Sequence, residues 1–364
     1  MKVVNVVGAR PNFMKIAPIH RRMQNSSFFE PILLHTGQHY DEKMSKTFFV
    51  ELGVPQPDVY LGVGSGTHAE QTAAVMLKVE KFLMDEKADL LIVVGDVNST
   101  IAASLAATKL HIPVAHVEAG LRSYDRRMPE EINRILTDSI ADYLFVTEQS
   151  GSDNLKKEGI ADDKIFFVGN CMIDSLVEHL QKASTNPVLN DFSLEPQGYA
   201  LMTLHRPSNV DDRTTLMNIF AALEHIQNDM PVIFPIHPRT KKMLSAFGLE
   251  NDMKRMSNIR LTEPLGYLAF LRLMSQAQLI VTDSGGIQEE TTYLKIPCLT
   301  LRENTERPIT TTLGTNQLVG MEPENILDGY NKAMNGYTKN SQIPPLWDGV
   351  TSQRILDVLK REKV

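Results

Sequence analysis

The sequence predicts an α/β protein with two Rossmann-like domains, each built on a doubly wound parallel sheet. Its 364 residues exceed one average domain, so two domains are expected. Short apolar runs alternate with helical patterns along nearly the whole chain, which is typical of parallel strands joined by helical crossovers. A polar stretch with two prolines, 182–198, separates two series of such runs and is the predicted junction.

The first series predicts six buried strands, because each is a short apolar run bounded by polar or turn-forming residues. Helical patterns at 67–86 and 98–109 lie among them. The strands are expected at 3–8, 31–36, 90–96, 113–119, 143–148 and 165–170.

The second series predicts five more strands, with helical patterns at 213–228 and 267–277 among them. These strands are expected at 199–205, 232–237, 259–263, 279–285 and 297–303. We assign residues 1–170 to an N-terminal domain and residues 171–351 to a C-terminal domain. The last helix, about 352–364, follows PPLWDG; packing on either half is open, and we place it back on the N-terminal domain.

Composition excludes several classes of protein. The net charge of −7 argues against bulk nucleic-acid binding, which needs a basic face to neutralise phosphates. Two cysteines, Cys171 and Cys298, can form neither a disulfide framework nor a multi-cysteine metal site, and they indicate a reducing compartment. No apolar run reaches the roughly 18 residues of a membrane span, and the first apolar run is too short for a signal peptide. We therefore expect a cytoplasmic protein with no nucleic-acid or membrane partner.

Polar residues end many of the predicted strands. Ligands of open α/β sheets bind beyond the carboxyl ends of the strands. Arg10, Asp96 and Glu118 end strands of the first half, and His205 and Ser284 end strands of the second. With two facing domains, these side chains would line one cleft.

The segment TDSGGIQEE runs from an apolar strand through Ser284, Gly285 and Gly286 into a helix. Glycines let a ligand approach the backbone, and free N–H groups at a helix start attract phosphate. Glu289 and Glu290 lie one turn further on, where a carboxylate can accept ribose hydroxyls. A tight turn with a serine cap and dipole-complementing acids is the alternative. We favour a site for nucleotide phosphate and ribose.

Basic residues stand at other strand ends. Arg10, in GARPNFMK, could clamp a diphosphate, and Lys15 follows about one turn later, although a lone helix lysine is usually solvated. The single glycine of this motif argues against a dinucleotide-binding GxGxxG loop. His205 and Arg206 could contact phosphate, and His237 in PIHPR has a similar placement.

Acidic residues suggest acid/base chemistry. Asp96 in GDVNST and Glu118 in HVEAGLRS could approach each other if their strands pair, since parallel neighbours lie about 5 Å apart. Glu130 and Glu131 open a helix in MPEEINR, with Arg134 one turn beyond Glu130; alone they would be ordinary N-terminal acids. No HExxH or comparable spacing occurs, so no metal site is predicted.

Taken in order, these motifs closely resemble the non-hydrolysing UDP-N-acetylglucosamine 2-epimerases, from GARPNFMK to WDGVTSQRI. HVEAGLRS with MPEEINR, the HR pair, TDSGGIQEE and RENTERP carry the resemblance. It implies two Rossmann-like domains facing across a cleft in the GT-B arrangement, a homodimer, and a UDP-amino sugar as substrate. It also implies interconversion of UDP-GlcNAc and UDP-ManNAc with no cofactor and no metal.

The resemblance implies a path in which loss of the C2 proton and of UDP gives 2-acetamidoglucal. UDP then adds back with protonation of the other C2 face. Asp96, Glu118 and Glu130 match acid/base positions, with Lys15, Arg134 and His205 as polar partners. The positions matching UDP contacts are Arg10, Ser284, Gly285 and Gly286 for the diphosphate, Glu290 for the ribose and Phe270 for the uracil, and we add His237 and Arg206 as candidates.

The chain departs from many bacterial relatives where a second UDP-GlcNAc acts as activator. Gln38 and His39 remain, but Asp41 and Glu70 stand where a neutral amide and an arginine are expected. Acids would repel a diphosphate, so we expect no activation of the usual form. The GQHYD segment also resembles the epimerases of UDP-2,3-diacetamido-glucuronic acid. A GT-B glycosyltransferase using the same UDP pocket is the alternative from another class.

Overall fold

The computed structural model describes residues 1–38, 53, 55–336 and 340–362. The chain forms two compact units, unit 1 from Met1–Glu178 with Pro345–Val364, and unit 2 from His179–Pro344. The sequence predicts a domain boundary after residue 170, at the start of the helix Cys171–Ser184. In the structure, the two units divide within this helix, after Glu178. The C-terminal segment joins unit 1.

Unit 1 is built on a parallel sheet in the order β3-β2-β1-β4-β5-β6-β7. The central strands are continuous apolar runs because helices cover both faces of the sheet. The strands are β1 (Lys2–Val7), β2 (Glu30–His35), β3 (Val59–Tyr60), β4 (Leu90–Val94), β5 (Val114–Ala119), β6 (Tyr143–Val146) and β7 (Ile165–Phe167).

Helices connect most of these strands, as crossovers between parallel strands require. The helices that follow the strands of unit 1 are α1 (Arg10–Gln24), α2 (His68–Glu86), α3 (Asn98–Lys109), α4 (Pro129–Ile140), α5 (Gln149–Lys157) and α6 (Cys171–Ser184), and α6 runs on into unit 2. Strand order reverses between β1 and β4, which places the switch point of the sheet beside the ends of these two strands.

Unit 2 repeats the architecture with a sheet in the order β10-β9-β8-β11-β12-β13. Its strands are β8 (Ala200–Thr203), β9 (Val232–Pro235), β10 (Ile259–Thr262), β11 (Leu279–Thr282), β12 (Cys298–Thr300) and β13 (Asn316–Leu318). Its helices are α7 (Val188–Asp191), α8 (Pro207–Val210), α9 (Arg213–Asp229), α10 (Pro238–Ala246), α11 (Glu250–Arg255), α12 (Tyr267–Gln276), α13 (Gly285–Leu294), α14 (Ile309–Thr312) and α15 (Pro323–Met334). The switch point lies between β8 and β11.

The last helix, α16 (Thr351–Arg361), packs against α1 in unit 1. Its start is capped by the buried carboxylate of Asp174 in α6, which accepts from the amides of Thr351 and Ser352 at 3.0 and 2.7 Å. Trp347 is buried just before this helix and donates its indole N–H to the carbonyl of Thr147 at 3.0 Å. Among the helices of the described residues, none is both long and apolar enough to cross a membrane.

Candidate active site

The two acids of the first half follow strands that pair. β4 and β5 are parallel neighbours, with Val94 opposite Val117. Asp96 lies two residues beyond β4, and Glu118 lies near the end of β5. Both carboxylates therefore belong to the same edge of the sheet, beside its switch point.

Glu118 is buried and paired with Lys15 of α1. The lysine Nζ lies 2.5 Å from Oε2 of the carboxylate, and only 8% of the Lys15 surface is exposed, which excludes a solvated lysine. The second oxygen, Oε1, is buried and has no hydrogen-bond partner among the residues described. One oxygen of the carboxylate is thus fixed by a cation, and the other oxygen is available to a group that is not among the described residues.

The backbone at Glu118 is strained. Its φ angle is 71°, in the left-handed region, and the pairing of β5 with β6 shifts register between Val117 and Ala119. Such a conformation in a residue with a side chain costs about 1–3 kcal/mol and is concentrated at functional sites. A Cβ placed on Gly95, one residue before Asp96, would lie 3.7 Å from Oε2 of Glu118. The two acid-bearing turns are therefore in close contact.

Asp96 is held by Arg134 of α4. The guanidinium Nη2 lies 2.5 Å from Oδ2 of Asp96, and Nη1 lies 2.8 Å from Oε2 of Glu131. Arg134 and Glu131 are buried, whereas the Asp96 side chain keeps 32% exposure. Asp96 is therefore oriented but still accessible.

The two adjacent glutamates of MPEEINR differ in role. Glu131 also accepts from the amides of Ser123 and Tyr124 at 3.0 and 2.8 Å, so it fixes the loop that follows β5. Glu130 is half-buried, and no described residue pairs with it. The residue pattern alone does not distinguish the two acids, whereas the family resemblance selects Glu130.

The start of α1 is tied to β4 by Asn12. Its Oδ1 accepts from the amide of Ala9 at 2.9 Å, and its Nδ2 donates to the carbonyl of Val94 at 3.1 Å. Arg10, the first residue of the helix, is exposed. This places the predicted diphosphate arginine at the same sheet edge as Lys15 and the acids.

In unit 2, Asp283 organises the HR pair. Its buried Oδ2 accepts from the amides of His205 and Arg206 at 2.9 and 2.7 Å, and Oδ1 lies 2.8 Å from Nδ1 of His205. Burial alone would raise the pKa of Asp283, but His205 and the two amides outweigh it and lower the pKa. The His205 side chain keeps 40% exposure, so part of the ring is accessible to solvent, and Nε2 is not the nitrogen that pairs with Asp283. Asp283 stands within the TDSGGIQEE motif, but nothing in the residue pattern singles it out.

His237 lies beside His205, with ring centroids 5.6 Å apart. It stands at the start of α10, where its Nδ1 accepts from the amide of Arg239 at 3.2 Å. Partial burial lowers the pKa of His237, and the neighbouring His205 lowers it further. The lowered pKa favours the neutral imidazole, whose Nδ1 caps the start of α10.

The start of α13 is an open anion-binding geometry. Ser284 occupies the cap position, yet its side chain makes no capping bond among the described residues. A Cβ on Gly286 would meet nothing within 4 Å, whereas one on Gly285 would lie 2.9 Å from Glu306 and 3.0 Å from Arg307. Arg307 in turn pairs with buried Glu289 at 2.6 Å and Glu306 at 2.5 Å. Gly285 is thus required by the buried ion pairs beneath it, and Gly286 leaves room for a ligand.

Glu290, one turn into α13, is buried and accepts from the Tyr267 hydroxyl at 2.8 Å. Burial raises the pKa of Glu290 to about 7, and the neighbouring Glu289 contributes to the increase. Phe270 is half-buried on the same helix as Tyr267, one turn further on. The predicted ribose and uracil residues therefore come from the two neighbouring helices α12 and α13.

The predicted departures at the activator positions are only partly covered by the structure. Gln38 is buried and accepts from the amide of Ser99 at 3.0 Å. Glu70 closes a capping box at the start of α2, where it accepts from the amide of Thr67 at 2.9 Å. His39 and Asp41 lie outside the described residues. Within the described ranges, no group of three or more His, Cys, Asp or Glu is arranged to hold a metal ion.

Comparison with known proteins gives one consistent result. The family model described as UDP-N-acetylglucosamine 2-epimerase matches residues 21–360. The UDP-N-acetylglucosamine 2-epimerase of Methanocaldococcus jannaschii is 45% identical over 99% of both chains. The UDP-2,3-diacetamido-2,3-dideoxy-D-glucuronate 2-epimerase of Pseudomonas aeruginosa is 40% identical over 99% of this chain and 100% of its own.

The fold agrees with the sequence matches. The crystal structure of the Methanocaldococcus jannaschii UDP-GlcNAc 2-epimerase in complex with UDP-GlcNAc and UDP superposes with a TM-score of 0.91, at 45% identity, over 99% of this chain and 100% of that one. A family match across most of the chain, with relatives of this similarity over their whole length, leaves one assignment: the chain belongs to the UDP-N-acetylglucosamine 2-epimerase family.

Proposed function

We propose that this protein reversibly epimerises UDP-N-acetylglucosamine to UDP-N-acetylmannosamine at C2. The observation that carries the proposal is the pair of held carboxylates in unit 1, Glu118 on Lys15 and Asp96 on Arg134. Each carboxylate is fixed by a cation at one oxygen. The second oxygen of Glu118 has no hydrogen-bond partner among the described residues, and the Asp96 side chain is 32% exposed. A carboxylate held in this way suits proton transfer to and from carbon.

The chemistry proceeds by elimination and re-addition. A carboxylate takes the C2 proton, the electron pair of the C2–H bond forms the C1=C2 double bond, and UDP leaves with the electrons of the C1–O bond. Return of UDP to C1 with delivery of a proton to the opposite face of C2 gives the epimer. The C2 proton is not activated by a carbonyl on the ring, so departure of UDP must drive the reaction, and groups that stabilise its charge contribute to the rate.

Unit 2 supplies groups suited to UDP. The amides of Gly285 and Gly286 at the start of α13, the hydroxyl of Ser284 and Nε2 of His205 can hold the diphosphate. The amide of Ser284 is already used, since it donates to the Thr282 hydroxyl at 3.0 Å. Glu290 is suited to the ribose hydroxyls, and Phe270 to packing on the uracil. Arg206 and His237 flank His205 and add to the polar surface.

A second substrate is favoured by one specific observation. The loop between Glu118 and Glu130 exposes two arginines, Arg126 and Arg127, and Arg127 is paired with Asp125 at 2.8 Å. A sugar with a C6 carboxylate needs a cation nearby, and the 40% identical Pseudomonas aeruginosa relative is named for such a sugar. UDP-2,3-diacetamido-2,3-dideoxy-glucuronic acid is therefore the second candidate.

Proton NMR in D₂O tests the proposal directly. The purified protein is incubated with UDP-GlcNAc alone, without an acceptor, and in parallel with the diacetamido-glucuronate sugar. Signals of UDP-ManNAc with deuterium at C2 are the expected result. Turnover of the second sugar alone would move the assignment to that substrate, and consumption of neither without an acceptor would favour a glycosyltransferase. The homodimer and the cytoplasmic location stay predictions.

A further inference from the structure

A buried hydrogen-bond network joins the two strand ends that carry Asp96 and Glu118. His116 lies two residues before Glu118 in β5 and is fully buried. Its Nε2 lies 2.8 Å from the carbonyl oxygen of Gly95, and its Nδ1 lies 2.6 Å from Oδ1 of Asp138 in α4. The carbonyl of Gly95 can only accept, so Nε2 donates to it, while Nδ1 faces the carboxylate of Asp138.

Asp138 is the centre of this network, which we define as His116, Asp138 and Arg122. Its Oδ2 accepts from the amide of Gly120 at 3.0 Å and lies 2.7 Å from Nη1 of Arg122. Arg122 is itself paired with Glu158 at 2.6 Å. Burial alone would raise the pKa of Asp138, but His116 and Arg122 outweigh burial and hold the pKa below its ordinary value. The carboxylate is therefore charged and fixed through both oxygens.

The contacts fall on the backbone around both acids. Gly95 immediately precedes Asp96, and Gly120 lies two residues beyond Glu118. Gly95, Glu118 and Gly120 have φ angles of 69°, 71° and 78°, all in the left-handed region. The pairing of β5 with β6 also shifts register at Glu118. Because of this shift, regular pairing with β6 does not hold the backbone at Glu118. The network of His116, Asp138 and Arg122 supplies a further connection between the turns that carry Asp96 and Glu118.

We propose that His116 and Asp138 are positioning residues, which set the separation of the Asp96 and Glu118 carboxylates without touching the substrate. This inference rests on the proposed function. In that reaction a proton leaves one face of C2 and another arrives at the opposite face, so the participating groups must stand at a fixed separation. A displacement of about 1 Å in a reacting group can cost about 100-fold in rate.

The kinetic test compares His116→Asn with His116→Gln. Asparagine is too short to reach the carbonyl of Gly95, whereas glutamine extends far enough to donate to it. We expect His116→Asn to lower kcat by about 30- to 100-fold, with KM and UDP affinity within about twofold, and His116→Gln to recover part of that loss.

His20→Asn is the matched control. His20 is also fully buried in unit 1, but its ring pairs with Asn5 of β1 at 3.2 Å, and within the described part of the chain no hydrogen bond joins it to either acid-bearing turn. This variant is expected to lower the Tm while kcat stays within about twofold of wild type. A general loss of packing would lower kcat in both asparagine variants and would overturn the positioning role.

Crystal structures of the wild type and of His116→Asn provide a readout that does not depend on turnover. We expect the separation of the Asp96 and Glu118 carboxylates to change by more than about 0.5 Å, the tolerance of a catalytic constellation. An unchanged separation, or an unchanged kcat, would overturn the proposal.

A wild-type protein that does not epimerise would contradict the proposed function, and the two structures would still decide the positioning role. If His116→Asn does not fold, the isosteric Asp138→Asn takes its place, with an expected loss of about 10-fold in kcat.

Discussion

The open oxygen of Glu118 gives a prediction at the scale of a single residue. Glu118→Gln keeps the size of the side chain but removes the negative charge that can accept a proton and that pairs with Lys15. We expect kcat for UDP-GlcNAc epimerisation to fall at least about 1,000-fold, within the range for loss of a catalytic acid/base. Steady-state kinetics coupled to NMR measures the change.

A control for this variant is a buried glutamate that follows the neighbouring strand, β6. Glu148→Gln alters a fully buried carboxylate after β6, where Glu148 accepts from the Ser150 hydroxyl at 2.6 Å. It should leave kcat within about threefold of wild type. Near wild-type turnover in Glu118→Gln, with UDP binding intact, would remove Glu118 from the acid/base groups. Asp96→Asn is expected to behave as Glu118→Gln does.

The raised pKa of Glu290 predicts a pH dependence of stability. Its pKa is about 7 in the folded state against an ordinary 4.5, so between these values the folded protein binds more protons at this site than the unfolded chain. Stability from this group is present below about pH 4.5 and is lost as the pH rises through about 7. Glu290→Gln should therefore gain stability over the wild type as the pH increases from 4.5 to 8.

Urea unfolding at pH 5 and pH 8 measures this difference, with Glu250→Gln, an exposed residue of the same unit, as the control. The gap between Glu290→Gln and the wild type should widen at pH 8, while the Glu250→Gln gap stays constant. Calorimetry should also show UDP affinity falling about 10-fold in Glu290→Gln, the effect of one lost hydrogen bond to a charged group. Unchanged UDP affinity would contradict the ribose role.

At the scale of one element, the start of α13 separates folding from ligand binding. A Cβ on Gly286 meets nothing within 4 Å, so Gly286→Ala should stabilise the helix by about 0.5–1 kcal/mol through the lower entropy of the unfolded chain. The same methyl group would occupy the space of an approaching phosphate. We therefore expect a higher Tm together with weaker UDP binding, measured by scanning calorimetry and titration calorimetry.

Gly285→Ala is the informative partner. Its Cβ would lie 2.9 Å from Glu306 and 3.0 Å from Arg307, so the buried ion pairs must shift. Both stability and UDP affinity should fall in this variant. Unchanged UDP binding in both variants would exclude the start of α13 from the diphosphate site.

Sequence patterns located the elements better than their ends. Every predicted strand is present, but 90–96 and 279–285 end at Val94 and Thr282, because polar strand-end residues leave the ladder to form the site. Two short edge strands, Val59–Tyr60 and Asn316–Leu318, escaped prediction since so few residues carry no periodicity. Apolar runs thus predict where the chain is buried, and not where pairing stops.

The rule that ligands bind beyond the carboxyl ends of the strands located residues of the candidate site, but it could not predict their burial or their partners. Lys15 is buried on Glu118, which its place in a helix did not reveal. Glu130 and Glu131 differ because adjacent helix positions point about 100° apart, so only the packing decides which one is buried. Asp138 binds His116 and Gly120, which precede it by 22 and 18 residues, and no local sequence pattern predicts such contacts.

At the scale of the whole molecule, the cap on α16 ties the end of the chain to unit 1. Asp174→Ala removes the acceptor for the amides of Thr351 and Ser352 and leaves them buried. We expect a loss of about 1–3 kcal/mol and a Tm lower by several degrees. UDP affinity should stay within about twofold of wild type, because every proposed UDP residue except Arg10 lies in unit 2. Asp85→Ala, on the exposed face of α2, should change the Tm little. A Tm equal to the wild type in Asp174→Ala would mean that the cap contributes nothing to stability.

The return of the chain to unit 1 bears on how the protein is made. Translation produces the strands of unit 1 first, then all of unit 2, and only at the end the segment that covers α1. Domains fold as units during synthesis, so unit 2 can finish while unit 1 still exposes apolar surface. Unit 1 is therefore begun before unit 2 and completed after it, and loss of α16 by truncation would damage the unit that contains residues 1–178.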